Sequence, residues 1–134
     1  MSRRTNPSIG LLIIGIVVIA CSTTHALNVR LTQADNGSTI SLRPGETLEI
    51  VLAGNPTTGY NWEVQEGAET IVRQKGAPVY KADSKLIGAG GTMTFRFECV
   101  DAGAVTLSLI YHRSFEPGVA PLKTFTVSIK GVKK

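Results

Sequence analysis

The chain has 134 residues, of which 43% are hydrophobic and 18% charged, and these figures fit one globular domain. They exclude a collagen-like fibre, a coiled coil, a disulfide-rich miniprotein and a disordered tail. The formal net charge of +4 does not indicate a nucleic-acid partner, because Arg3 and Arg4 lie in the N-terminal segment. Without these two arginines, 12 basic residues face 10 acidic ones, which is too mild an excess for a phosphate-binding surface.

The first 26 residues read as an export signal, since Arg3 and Arg4 precede an apolar run over residues 9–20. This run is too short to span a bilayer comfortably, which takes about 20 helical residues. Two cleavage sites compete. Signal peptidase cleaves after residues 24–26, or residues 18–21 form a bacterial lipobox, so that 1–20 is a lipoprotein signal and Cys21 the acylated N-terminus.

The export signal predicts the location of the protein. In a bacterium it would be periplasmic or a membrane-anchored lipoprotein, and otherwise secreted or in the endomembrane lumen. Contact with a membrane is expected only through a lipid on Cys21. Both cleavage routes leave Cys99 without an intramolecular partner, so the domain over 27–134 has no disulfide framework. Cys99 follows Phe95 and Phe97 at a spacing of two, which predicts three side chains on one buried strand face.

Short strands separated by turns follow the signal along the chain. The first two, 27–33 and 38–43, are predicted to form a hairpin, because Asn36-Gly37 between them supplies the positive φ of a tight turn. Arg43-Pro44-Gly45-Glu46 turns the chain into the third strand. The remaining predicted strands are 47–52, 61–64, 71–74, 79–81, 93–100, 105–111 and 124–129, with Phe125, Val127 and Ile129 facing inward. The fold class is therefore all-β, an immunoglobulin-like antiparallel β-sandwich of seven to nine strands. Trp62 is assigned to the core.

Three loops contain more glycine, proline and aromatic residues than simple connections need. The first, 54–60, is expected to be stiff, because Pro56 fixes φ and Asn55 and the threonines bond to nearby backbone. The second, 88–91, is nearly free of side chains, so a partner's backbone could approach it closely. The third, 112–118, places Arg113 and Phe115, residue types that often anchor interfaces, at the end of a strong strand. Alternate connections of a sandwich lie at the same end, which would bring these loops together.

Together the three loops resemble the chagasin-type inhibitors of papain-like cysteine proteases. The family's first signature, Asn-Pro-Thr-Thr-Gly followed by an aromatic residue, stands intact over 55–60, and its Gly-x-Gly-Gly stands over 88–91. The third signature is usually Arg-Pro-Trp and here reads Arg113-Ser114-Phe115, which lacks the stiffening proline and has a smaller ring. The resemblance extends from about residue 27 to residue 130.

The resemblance implies a reversible, competitive inhibitor whose three loops occlude the cleft of a papain-like cysteine protease. The central loop would lie over the catalytic cysteine and histidine, with Thr57 and Thr58 nearest the thiolate. The second loop would make main-chain hydrogen bonds, and Arg113 with Phe115 would pack on the opposite wall. The protein is expected to be a monomer. The protease-binding residues implied are Asn55, Pro56, Thr57, Thr58, Gly59, Tyr60, Gly88, Ala89, Gly90, Gly91, Arg113, Ser114 and Phe115.

Catalysis is not expected, because the predicted mature domain has one histidine, His112, and one inward cysteine, Cys99. These two residues cannot complete a four-ligand zinc site, so neither a metal nor another cofactor is expected. The alternative function is that of an exported immunoglobulin-like binding or adhesion lipoprotein without inhibitory activity. The altered third signature favours that alternative, and the intact first signature favours the inhibitor.

Overall fold

The computed structural model describes residues 28–133, so the predicted export signal and Cys21 lie outside the described residues. Within 28–133 no helix is long and apolar enough to cross a membrane. The strands of the described chain are β1 (Asn28–Thr32), β2 (Thr39–Leu42), β3 (Thr47–Gly54), β4 (Asn61–Val64), β5 (Val72–Gln74), β6 (Val79–Ala82), β7 (Gly91–Cys99), β8 (Gly103–His112) and β9 (Lys123–Gly131). Short 3₁₀ helices span Gln33–Asp35 and Pro56–Thr58. The predicted strand bounds differ from these by at most two residues.

Two sheets form a sandwich, which confirms the predicted fold class. One sheet has the order β1-β3-β7, with β5 and β6 pairing with opposite halves of β7. The other has the order β2-β9-β8-β4. Most neighbouring strands are antiparallel as predicted, but β1 runs parallel to β3 and β2 runs parallel to β9.

The predicted hairpin between the first two strands is wrong, since β1 and β2 belong to different sheets. Gly37 does adopt a positive φ of 86°, and the Ser38 amide closes the turn by donating to the Asp35 carbonyl at 3.0 Å, but the turn is docked on β9 and does not pair β1 with β2. The Gly37 amide donates to the carbonyl of Thr126 at 2.7 Å, and the Thr126 amide donates to Asn36 Oδ1 at 2.8 Å. The 3₁₀ helix Gln33–Asp35 precedes this turn, and together they lead the chain from the first sheet to the second.

The core lies between the two sheets and is built from alternating residues of the long strands. Phe95, Phe97 and Cys99 of β7 are buried on one face, as predicted. From the other sheet Phe125, Val127 and Ile129 of β9 are fully buried, which also confirms their predicted direction. Trp62 is a core residue as expected. The loops connect the ends of strands that are packed in this core, so they lie at two opposite ends of the sandwich.

Candidate functional site

The central loop, residues 55–60, joins β3 to β4 and is organised around Asn55. Asn55 Oδ1 caps the short helix Pro56–Thr58 by accepting from the Thr57 amide at 3.1 Å, and it also accepts from the Thr57 hydroxyl. Pro56 stands at the start of the helix, where its missing N–H costs nothing. Gly59 ends the turn with φ 86°, a conformation that glycine adopts without strain.

Both threonine hydroxyls of the central loop are engaged within the loop. The Thr58 hydroxyl donates to the carbonyl of Asn55 at 2.7 Å and accepts from the Tyr60 amide at 3.3 Å. Thr57 and Thr58 are nevertheless exposed, at the outer end of the turn. A loop with this many internal hydrogen bonds has few alternative conformations, which supports its predicted stiffness.

The second loop, residues 83–90, joins β6 to β7, and its glycines have different structural roles. Gly88 is exposed and has a φ of 81°. A Cβ on Gly90 would meet only the Gly54 carbonyl oxygen, at 3.7 Å, which is an ordinary contact. Gly91 is instead buried as the first residue of β7, where a Cβ would come within 2.2 Å of the Lys81 carbonyl oxygen. Strand packing therefore accounts for Gly91, while Gly88, Ala89 and Gly90 form the outer edge.

The third loop, residues 113–122, joins β8 to β9. Phe115 is 67% exposed, and Ser114 beside it is exposed as well. The edge of the Phe115 ring lies 3.1 Å from the position that a Cβ on Gly59 would occupy. Phe115 is thus exposed to solvent but lies directly against the central loop.

Two side-chain hydrogen bonds link the three loops at one end of the sandwich. Asn55 Nδ2 donates to the Gly88 carbonyl at 3.0 Å, which links the first loop to the second. Arg113 Nε donates to the Thr58 carbonyl at 3.1 Å, which links the third loop to the first. The structure therefore brings the sequence-predicted site residues together along one edge, here called the loop edge and defined as residues 55–60, 88–90 and 113–115.

Tyr111 lies beneath the loop edge and was not among the predicted site residues. Its hydroxyl accepts from the Asn55 amide at 3.0 Å. Its ring stacks on Tyr60, with ring centroids 5.3 Å apart, and packs against Trp62 at 5.0 Å. Alternation along β8, in which Leu107, Leu109 and Tyr111 face inward, is the sequence signal that could have identified it.

The histidine and the cysteine of the described chain lie too far apart to act together. His112 is at the loop end of β8, where its Nε2 is 2.6 Å from Glu63 Oε1. Cys99 is buried at the opposite end of β7, and this burial raises the pKa of its thiol. Residues 28–133 contain no group of three or more histidine, cysteine or acidic side chains that could hold a metal ion. The fold and the loop edge define a binding protein of the immunoglobulin-like type.

Comparisons with known proteins identify the family. Residues 41–129 match the model of the chagasin family of peptidase inhibitors, a span that includes all three loops. Chagasin of Trypanosoma cruzi is 35% identical over 105 residues, which cover 75% of this chain and 96% of chagasin. Amoebiasin-1 of Entamoeba histolytica is 36% identical over 104 residues, covering 74% of this chain and 95% of the relative. The crystal structure of a cysteine protease inhibitor from Entamoeba histolytica superposes with a TM-score of 0.72 at 24% identity, covering 82% of this chain and 100% of that one, and shows the same fold.

The chain therefore belongs to the chagasin family of peptidase inhibitors. It is a peptidase inhibitor of the chagasin type and not an enzyme. This confirms the class of function predicted from the three loop sequences.

Proposed function

We propose that the loop edge enters the substrate cleft of a papain-like cysteine protease and inhibits it reversibly and competitively. The observation that carries this proposal is the pair of side-chain links, Asn55 to Gly88 and Arg113 to Thr58, which hold three signature loops side by side. Separate, unlinked loops would each have to be ordered on binding. Linked loops arrive already arranged, so less of the contact energy is lost to ordering.

Each loop contributes a different kind of contact. The central loop projects the exposed residues Thr57 and Thr58 toward the catalytic cysteine and histidine of the target. The outer edge of the second loop, Gly88 to Gly90, has no side chain larger than a methyl group, so it is suited to main-chain hydrogen bonds of the added-strand type. Exposed Phe115 supplies an aromatic contact on the other side of the central loop.

A stiff central loop also explains how an inhibitor can occupy a protease cleft without being cut. Hydrolysis requires the scissile carbonyl to be aligned with the attacking thiolate and held by oxyanion donors. The 3₁₀ turn Pro56–Thr58, capped by Asn55, holds its carbonyls in a curved arrangement. An extended substrate backbone differs from this, and rearranging the turn would break the internal hydrogen bonds.

The test is a titration of residues 27–134 against active-site-titrated papain, with a fluorogenic substrate at several concentrations. We expect competitive inhibition at nanomolar to low-micromolar levels, with the inhibitor recovered uncut. Gly90→Val should raise the inhibition constant about tenfold, because the added isopropyl group prevents close main-chain approach. Gly90→Ala is the matched control and should change the constant less, since a Cβ fits there. Folded protein that leaves papain and related cathepsins uninhibited would refute the proposal.

We also propose that the protein acts outside the cytoplasm as a monomer that binds one protease molecule. Arg3, Arg4 and the apolar run over 9–20 support export, and Cys21 in its lipobox context supports a lipid anchor. The mass of the mature N-terminus tests the anchor. An acylated Cys21 supports it, whereas a free N-terminus at residue 27 indicates ordinary secretion.

A further inference from the structure

A stack of three aromatic rings and one guanidinium runs from the core to the loop edge. Trp62 and Tyr111, each about 5% exposed, form its buried end, and the Trp62 indole donates to the Ala53 carbonyl at 2.9 Å. Tyr60 stacks on Tyr111 with the two rings 24° from coplanar. The guanidinium of Arg113 covers Tyr60, with its Cζ 4.4 Å from the ring centroid. Arg113 is therefore the outermost member of a stack whose other end is anchored in the core.

The guanidinium of Arg113 is largely engaged by its own chain. Its Nε donates to the carbonyl of Thr58, the last residue of the 3₁₀ turn, where a helix leaves a carbonyl without a partner. Its Nη1 lies 3.7 Å from Oε2 of Glu116 in the same loop. Only 34% of the side chain is exposed. A planar guanidinium can make these contacts together because its donors and its flat face are arranged in a fixed geometry.

We propose that Arg113 is a positioning residue whose main role is to hold the central loop in its inhibitory conformation, and not to contact the protease. By fixing both the Thr58 carbonyl and the Tyr60 ring, it restrains the two ends of the segment 58–60. This inference rests on the proposed function of the loop edge. It also assigns the third loop two tasks: Arg113 holds the central loop, while Phe115, whose ring lies against that loop but is 67% exposed, is available to the protease.

The consequence is that, without Arg113, the central loop becomes a substrate of the protease. A loop released at Thr58 and Tyr60 samples extended conformations, in which a peptide carbonyl can align with the protease thiolate. The protease would then hydrolyse a peptide bond of the segment 55–60. The carbon–nitrogen bond breaks, water supplies the new carboxyl oxygen, and the released nitrogen becomes an amine.

The experiment compares Arg113→Met, Arg113→Lys and Arg73→Met with the unaltered domain. Methionine retains an unbranched side chain but removes the charge and all donors. Lysine retains the charge but lacks the flat, forked group. Arg73 is an exposed residue of β5, which pairs with β7 at the end opposite the loop edge, so its variant is the matched control.

The first measurement is amide hydrogen exchange in the free domain, which does not depend on any protease. We expect Arg113→Met to accelerate exchange of the Thr58 and Gly59 amides about tenfold or more, with the amides of β7 and β8 unchanged. The second is incubation with papain followed by mass spectrometry. We expect the inhibition constant to rise by about 10- to 100-fold, with new fragments cut within 55–60. Arg113→Lys should resemble Arg113→Met, and Arg73→Met should resemble the unaltered domain.

The proposal is overturned if Arg113→Met weakens inhibition while exchange in 56–60 is unchanged and the chain stays uncut, because Arg113 would then contact the protease directly. It is also overturned if Arg113→Lys restores full inhibition, because a point charge would suffice. If the unaltered domain does not inhibit papain, the proposed function fails, and the exchange measurement still decides whether Arg113 holds the loop. Should Arg113→Met not fold, Arg113→Lys provides the same exchange test.

Discussion

At the loop edge, exposed segments are linked by polar side chains, whereas at the opposite end of the sandwich the chain is closed by backbone hydrogen bonds around buried residues. At the far end the Gly45 amide donates to the Cys99 carbonyl at 2.8 Å, and the Cys99 amide donates to the Glu46 carbonyl at 2.9 Å. At the loop edge the corresponding links are made by Asn55 and Arg113. We infer from this difference that the far end contributes mainly to folding stability and the loop edge mainly to inhibition.

This comparison has a physical basis. Hydrogen bonds among exposed side chains contribute little net stability, because water competes for the same groups. They do restrict which conformations a loop adopts, and that restriction is what a binding surface requires. Buried backbone groups have no water to replace a lost partner, so disturbing them costs the full free energy of burying an unpaired polar group.

The largest expected effect is on folding stability, at the far end. Gly131 is buried in β9, and a Cβ there would lie 2.3 Å from the Asp101 carbonyl oxygen. Gly131→Ala should therefore lower the free energy of unfolding by about 3 kcal/mol, measured by urea denaturation. The inhibition constant of the folded fraction should not change. Lys130→Ala, at an exposed neighbour, is the control. If Gly131→Ala lost inhibition without losing stability, the assignment of folding stability to the far end would be contradicted.

The next effect is on inhibition, at the loop edge. Asn55→Ala removes both the cap of the 3₁₀ turn and the link to Gly88, and should raise the inhibition constant about 100-fold. Folding stability should fall by only about 1 kcal/mol, the usual cost of a lost cap.

Asn55→Asp separates the two contributions of this side chain. Aspartate still accepts from the Thr57 amide but cannot donate to the Gly88 carbonyl, so we expect a rise of about tenfold. Inhibition by Asn55→Asp equal to that of the unaltered domain would show that the link to the second loop is dispensable.

The smallest effect is on the pH dependence of stability, at the far end. Burial raises the pKa of the Cys99 thiol above its ordinary value of 9.0, so the folded chain keeps its proton at a pH where the unfolded chain loses it. Stability from this group is complete below pH 9 and falls by at most about 1.4 kcal/mol per pH unit above it. Urea denaturation between pH 8 and pH 11 should show this loss. In Cys99→Ala it should be absent, and equal pH slopes for the two proteins would show that the thiol is not involved.

The sequence predicted the strands well where alternation was strong and the turns were clear. Phe95, Phe97 and Cys99 could be assigned to one buried face because a strand alternates its side chains with a period of two. The hairpin between β1 and β2 could not be judged in the same way. Asn36-Gly37 permits a tight turn, but the docking of that turn on Thr126 depends on a strand about 90 residues away.

The site was also predicted in part. The signature residues of the three loops were recognised from the sequence alone, and their convergence at one end followed from the expected sandwich. Tyr111 was missed because its role is to contact Asn55, Tyr60 and Trp62 together, and these residues meet it only in the tertiary structure, where β4 pairs with β8 and the loop after β3 packs over both. Gly91 was assigned to the partner-facing loop, although the adjacent strand β6 leaves no room for a side chain there.

The sequence by itself determined what each segment can do locally. Pro56 and Gly59 shape a tight turn and Asn55 caps it, because these properties depend on φ, ψ and hydrogen bonds within a few residues. Only the tertiary structure decided which segments meet. Arg113 reaches Thr58 across 55 positions of the chain, and Asn55 reaches Gly88 across 33. Such contacts depend on strand order and register. These are set when one face of each sheet is buried in a common core, and they leave no local pattern in the sequence.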